Sequence, residues 1–475
     1  METASPSPRL APAAVIGAGA VSVAAVLAAV AAGSVLSWAL AGAVVVVLAV
    51  ALVQPSPLAR LVGVLALQAF QMGGEEGLSA GEVAAGLALV AYLAHWYTAA
   101  WLSGRRVVTS LFDAAAVAWG TVGLVAGVVL GLFFGADPSD FRADVLAALP
   151  FLLYLPVKDV CAREPRGAVA VGAVLVGLAL FASVQSVLLL RETIETATQA
   201  WEIADARPIT NETAILSGLL VCFAALLTAR EARWRLVLLG LVGVLTGGLL
   251  LSKSRGFWVA AVLGVVVLGV VARPAERRRL AAAALLGATA VTVVALALFA
   301  DQVALLLSGS LNRLTSLATA GQDVSLLNRF VETQGAWERI RVNPVLGYGW
   351  GVQVTYYSLL TDGTVRWAFL HNGYVALWFK TGLWGLALMM TVWVGAFVRA
   401  AFAGRGSALS TPNRACAYGA MASVAALSLT ALTSNPFATL DLMLIVVLNV
   451  ALAHGLADRA AAARRVRQPP AGDGR

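Results

Sequence analysis

The chain has 475 residues, of which 60% are hydrophobic and only 12% charged, and its mean hydropathy is +0.85. Soluble domains carry about a quarter of their residues as charges, so the composition excludes one and predicts an integral membrane protein. The net charge of +8 does not point to nucleic acid, because the arginines are scattered through short loops between apolar runs, as they are where they anchor helix ends at the cytoplasmic face.

In chain order, residues 1–10 are a polar tail rich in Pro and Ser, with Arg9. Residues 11–32 are apolar throughout, and at about 1.5 Å per residue such a run crosses a hydrocarbon layer of about 30 Å. A second apolar run follows at once, which favours a retained anchor over a cleaved signal peptide. Further spans are predicted at 35–53, 58–72, 81–102, 109–134, 145–157, 167–190, 213–228, 234–251, 256–271, 280–300, 374–398, 415–433 and 437–456. The runs 58–72 and 145–157 are short, so the expectation is about 12 to 14 transmembrane helices. Residues 457–475 are basic, end in a Pro/Gly-rich stretch and have no apolar face, which predicts a disordered tail. Cys161, Cys222 and Cys416 stand singly, without metal-ligand spacing.

An N-terminus on the cytoplasmic side places 22 of the 33 lysines and arginines in cytoplasmic segments and leaves 11 outside. That bias predicts both termini cytoplasmic and an extracytoplasmic loop at residues 301–370, between helices at 11–300 and at 371–456. The loop carries five arginines (313, 329, 339, 341 and 366) and five acids (Asp301, Asp323, Glu332, Glu338 and Asp362), so it is no polybasic membrane patch. Its acids are dispersed with no Asp-x-Asp pattern, and no metal site is predicted.

Two basic residues, Lys253 and Arg255, sit against the bias in a tight outward connection, LSKSRGFWVA. They are read either as cations snorkelling to headgroups or as guanidinium and ammonium groups facing a phosphate. Within the loop, Leu326, Phe330, Trp337 and Ile340 recur near helical spacing over 326–342 and predict an amphipathic helix, which Asn343-Pro344 ends. Arg329 on that helix reads, on its own, as a surface partner of Glu332 or Thr333. GYGWG follows, a turn and not a phosphate-loop pattern. Trp350, Tyr356, Tyr357 and Trp367 read as an interfacial belt or a sugar-stacking platform. His371 and Asn372 stand at the mouth of the next apolar helix, Asn372 as its cap. His371 is the outward-facing histidine available as a base near neutral pH. His95 and His454 lie in spans.

Taken together, SRG in a tight connection, Arg329 and Trp337 ahead of NPVLGYGWG, and then HNGYVALWFKTGLWG resemble the O-antigen ligase and polymerase family over residues 251–388. The chain departs from the usual pattern at Lys380, where family members commonly carry an acid before the glycine. The resemblance implies an all-α membrane fold of the GT-C kind in the inner membrane, without cofactor. It implies inverting, metal-independent transfer of a glycan from a polyprenyl-diphosphate carrier to an acceptor hydroxyl of a glycan, lipid or protein. Arg255 and Arg329 would hold the diphosphate and His371 the acceptor, with Lys253, Trp337, Arg339, Arg341 and Asn372 as substrate-binding candidates. The competing reading is a polyprenyl-glycan flippase or other transporter, which needs ionisable residues at bilayer depth. In the sequence, His95 and Asp441 lie within spans, Asp441 near its outer end, while Glu82, Asp113 and Asp159 lie near helix ends. A structural scaffold is the third reading, and it gives Arg255, Arg329 and His371 no common purpose.

Overall fold

The computed structural model describes residues 56–69, 80–196, 211–274, 276–277 and 324–467. The spans predicted at 11–32, 35–53 and 280–300, Arg313, and residues 468–475 lie outside the described residues. The chain divides into two compact units, Met1–Arg106 and Val107–Arg475.

In the first unit α1 (Pro57–Leu67) begins at Ser56, whose hydroxyl accepts from Ala59 N, with Pro57 in the first turn, where a missing N–H costs nothing. It packs on α2 (Ala80–Leu102), where buried Gln68 donates to Ala85 O at 3.1 Å and Arg60 meets His95 Nε2 at 2.6 Å.

The second unit is a helical bundle. Its members before the polar loop are α3 (Leu111–Phe133), α4 (Pro138–Arg163), α5 (Gly167–Thr196), α6 (Glu212–Thr228), α7 (Ala232–Leu251) and α8 (Arg255–Val271). After it come α10 (Gly373–Arg405), α11 (Thr411–Thr430) and α12 (Leu440–Arg467). Among the described residues six helices, α3, α4, α5, α7, α10 and α12, are long and apolar enough to cross a membrane. This is an all-α, multi-pass membrane protein. Helix α6 is buried along nearly its whole length. Small residues let its neighbours close in: a Cβ on Gly218 would sit 2.3 Å from Ala179, and one on Gly419 would sit 2.8 Å from the Val221 backbone. Close backbone approach of this kind is how helices associate in lipid.

The short span predicted at 145–157 is the middle of the longer α4. Asp137 caps it and Pro138 opens it, and it tightens to a 3₁₀ turn at Leu149–Leu153 because Pro150 has no N–H to donate. Nor does the chain become irregular after 456: α12 runs on to Arg467, since Ala460 to Ala463 and the arginines after them are strong helix formers.

The polar loop opens with α9 (Val324–Val342), and of the four apolar residues whose spacing predicted it only Ile340 is buried. Its buried residues are Asn328, Glu332, Ala336 and Ile340, four apart, while Phe330 and Trp337 are exposed. A two-stranded hairpin, absent from the all-helical expectation, follows. In it β1 (Val354–Ser358) pairs antiparallel with β2 (Gly363–Trp367). Alternating burial along VTYYS sends Val354 and Tyr356 into a small core with Ala336, Ile340, Leu370 and Phe379. The turn places Asp362 at φ 50°, a conformation Asp tolerates.

Candidate active site

The GYGWG stretch works as a wedge. Helix α10 breaks at Gly382 (φ 71°, ψ 178°), and residues 344–351 fill the break: Tyr348 N donates to Phe379 O (2.8 Å), Gly349 N to Lys380 O (2.9 Å) and Leu383 N to Pro344 O (2.9 Å). Gly347, Gly349 and Gly351 all have positive φ, and a Cβ on Gly349 would lie 2.0 Å from Gly131 N of α3, so a side chain is barred by both conformation and space. Lys380, where the family pattern has an acid, is buried against Asp144 of α4, Nζ to Oδ1 2.5 Å. The other oxygen of Asp144 accepts from Gly351 N at 2.7 Å. The departure from the pattern is therefore matched by a carboxylate 236 positions away in the sequence.

This wedge fixes the end of α9 and, through the hairpin, the approach to His371. Glu332, 1% exposed at its side chain, grips His371 twice: Oε1 accepts from the backbone N (2.5 Å) and Oε2 lies 2.8 Å from Nδ1. A carboxylate only accepts, so Nδ1 carries the hydrogen, and in the neutral ring it is Nε2 that has the lone pair. The imidazole is 31% exposed. The Tyr356 hydroxyl also meets Glu332 and Asn328, and burial first, then the Glu332 charge, pushes its phenol above the ordinary range. Asn328 is itself occupied, its Oδ1 accepting from Leu359 N at 2.8 Å. Asn372 caps α10, its Oδ1 accepting from Tyr374 N and Val375 N at 3.1 Å each.

The connection between α11 and α12 joins His371 to the arginines. Ala431 O accepts from Gly373 N at 2.8 Å, and Asn435 donates to Leu370 O at 3.0 Å. On the same connection Thr433 O accepts from Arg329 Nη1 at 2.8 Å, and a Cβ on Gly256 would lie 3.2 Å from Thr433 Oγ1. Arg255, the first residue of α8, is thereby brought to the rim that holds Arg329 and His371. Beside it Ser254 donates to Glu212 Oε1 at 2.8 Å, and Asn211 donates to Asp441 Oδ2 at 2.7 Å. Helices α6, α8, α10 and α12 all begin at this rim; Glu212 and Asp441 lie in the first turns of α6 and α12, while the positive dipole ends of α8 and α10 add to the two guanidiniums.

The remaining predicted residues separate. Lys253 is buried, at φ 50°. Arg339 donates to Gln353 O at 2.7 Å and lies over the rings of Tyr348 and Phe379 at 4.3 and 5.5 Å. Arg341 is exposed, 6.0 Å from the Trp337 ring, and Trp337 meets Trp378 edge-on. Sequence reasoning passed over Glu332 as a binding partner of His371, and over Thr433 and Asn435. The four-residue spacing of Asn328, Glu332, Ala336 and Ile340 was the available signal for the first. For the connection between α11 and α12 the sequence offers none.

Residues 240–390 match the family model described as O-Antigen ligase. That range contains SRG, α9, the glycine wedge and His371, and it coincides with the stretch that carries the resemblance in sequence. No curated protein matches the chain.

Proposed function

We propose, from the match of residues 240–390 to the O-Antigen ligase family model, that this chain is a membrane glycan ligase or polymerase that moves a glycan from a polyprenyl diphosphate to an acceptor hydroxyl. The observation that supports this most directly is the convergence of Arg255, Arg329 and the Glu332–His371 pair around residues 431–435. In the reaction the acceptor hydroxyl oxygen attacks the anomeric carbon as the bond from that carbon to the diphosphate breaks. The hydroxyl proton passes to His371 Nε2. The lipid diphosphate leaves with the bonding pair, and a single displacement inverts the anomeric centre. Glu332 holds the imidazole in the tautomer that accepts and balances the charge it gains. Arg255, Arg329 and the helix N-termini stabilise the negative charge that develops on the leaving oxygen. Fixed donors of this kind act where charge appears in the transition state.

The lysine and arginine bias puts the rim on the extracytoplasmic side of the inner membrane and both termini in the cytoplasm. The test is transfer by the purified chain in liposomes from a polyprenyl-diphosphate glycan to an acceptor. Formation of a new glycosidic bond with release of the lipid diphosphate is the expected result. Movement of the glycan-lipid across the bilayer with no bond formed overturns the proposal in favour of transport. A cysteine placed at Gln322, in otherwise cysteine-free protein, tests the orientation: labelling by an impermeant reagent in intact cells is expected, and labelling only after permeabilisation refutes it.

A further inference from the structure

A cleft of about 380 Å³ lies between α9, the hairpin and the connection from α3 to α4, and Arg339 and Arg366 both line it with Asp137 and Gln353. Its size is that of a small-ligand site. Of the acids around it, Asp144 is answered by a cation, while Asp137 and Asp140 accept from neutral donors. Asp137 Oδ1 accepts from Ser139 Oγ, Ser139 N and Asp140 N at the start of α4. Those bonds, the Ser139 hydroxyl's first, hold its carboxyl below the ordinary range. Asp140 accepts from Gln353 Nε2 at 2.8 Å, and Asp144 is taken by Lys380 and Gly351 N.

The cations are less committed. One nitrogen of Arg339 serves Gln353 O, and its guanidinium is held in place over two aromatic rings, which leaves further donors of a rigid fork. Arg366 is exposed on β2, opposite Thr355. A fork pinned by ring faces beside a second, exposed guanidinium suits a carboxylate or phosphate, not a neutral sugar. Along α9, Arg339 is seven residues from Glu332, about 10 Å at 1.5 Å per residue. A glycan with one unit at His371 can therefore reach the cleft with a unit farther along.

We infer that this cleft is a subsite for a negatively charged unit, carboxylate- or phosphate-bearing, of the glycan being joined, so that the natural glycan is acidic. The inference rests on the transfer reading for its meaning, but the binding it requires can be measured without transfer.

The experiment uses the full chain in zwitterionic nanodiscs and titrates an oligogalacturonate, a phosphorylated oligosaccharide and a neutral oligosaccharide of the same length, with no donor lipid present. Binding of at least one acidic probe is expected, and which of them binds more tightly identifies the anion. R366E should weaken that binding at least tenfold and R366K should preserve it, with the chain monodisperse in each case. The neutral probe should not bind. Equal affinity for neutral and acidic probes, or indifference to R366E, overturns the inference. So does loss of acidic-probe binding when anionic lipid is added to the discs, which makes the cleft a headgroup site. If the acidic probe binds as described while the liposome assay forms no bond, the transfer reading fails and the cleft stands. If transfer proceeds and R366E changes nothing, the reverse holds.

Discussion

Helices α10 and α12 carry a cluster of charged groups near each end, and the two clusters are built oppositely. Near their C-terminal ends, Lys158 of α4 contacts Asp113 of α3 (2.6 Å) and Asp458 of α12 (2.7 Å), both as ion pairs. Arg399 of α10 completes the set on Asp458 and reaches His454 Nδ1 at 2.9 Å. Tyr154 donates to the second oxygen of Asp113. Two carboxylates face two cations, and Lys158 and Asp113 are almost wholly buried. At the N-terminal ends, Glu332 grips an imidazole that presents its other nitrogen, and Arg329 is held by a carbonyl. The first arrangement answers each charge with its opposite and locks four helices together. The second holds its imidazole by one nitrogen and sets it on a rim that carries two guanidiniums together with the carboxylates of Glu212 and Asp441. That contrast also bears on the transport reading: among the described residues more ionisable groups lie inside the spans than the sequence suggested, and those of this cluster pair with one another.

The largest effect is expected at the closed cluster. Lys158→Met leaves Asp113 and Asp458 short of a cation in a buried setting, and breaking such a pair from one side costs about 3–5 kcal/mol. A large fall in thermal midpoint should follow, and adding Asp113→Asn, which preserves the Ser110 capping contacts, should recover part of it. A midpoint unchanged by Lys158→Met would mean that the cluster does not hold the helices.

At the open rim the expected loss is catalytic. Arg255→Lys and Arg329→Lys keep the charge but remove the planar fork, and each should reduce kcat by about 10²- to 10³-fold, in the range of about 2.7–4 kcal/mol seen for one transition-state donor. Thermal midpoints should stay close to wild type. Full activity in both variants would reduce the two arginines to structural contacts.

The comparison also explains what could be read in the sequence. Arg255 and His371 could be singled out because each sits at the edge of an apolar run, where a polar group is out of place, whereas Arg329, inside the polar loop, came only with the resemblance. Glu332 was not, because an apolar-spacing rule assigns a glutamate to the wet side. On α9 that rule chose Phe330 and Trp337, while the helix buries Asn328 and Glu332. A polar group inside at an apolar-patterned helix is the kind of local conflict that marks a site. Pairing across the bundle, as for Asp144 with Lys380 or Lys158 with Asp113, has no local trace at all. Among the described residues the helices themselves were legible, apart from their ends and the hairpin.

A smaller loss is expected one step behind the imidazole. Glu332→Gln keeps an acceptor for one of the two His371 contacts but brings an amide that can donate to Nδ1, so the tautomer is no longer dictated. A reduction in kcat of about 10²-fold is expected, the low end of what a positioned acid–base group supplies, with KM for the donor lipid nearly unchanged. A rise in KM with kcat intact would instead place Glu332 in donor binding.

The smallest effect, none at all, is expected on chelation, and it tests the rim most strictly. A diphosphate leaving group needs positive charge, from a divalent cation or from fixed side chains. Hard cations take several oxygen ligands, and the carboxylates nearest the rim are occupied: Glu332 by His371, Glu212 by Ser254, Asp441 by Asn211 and Thr439. Among the described residues no three His, Cys, Asp or Glu side chains gather as a cation site. In the proposed reading Arg255, Arg329 and the N-termini of α8 and α10 supply the charge that a cation would otherwise bring. Transfer by the purified chain should therefore run at the same rate with EDTA as without it, and Arg329→Lys should not be rescued by Mg²⁺ or Mn²⁺. Loss of turnover in EDTA that either ion restores would show that the positive charge at the rim is insufficient, and that the leaving group is stabilised by a bound metal.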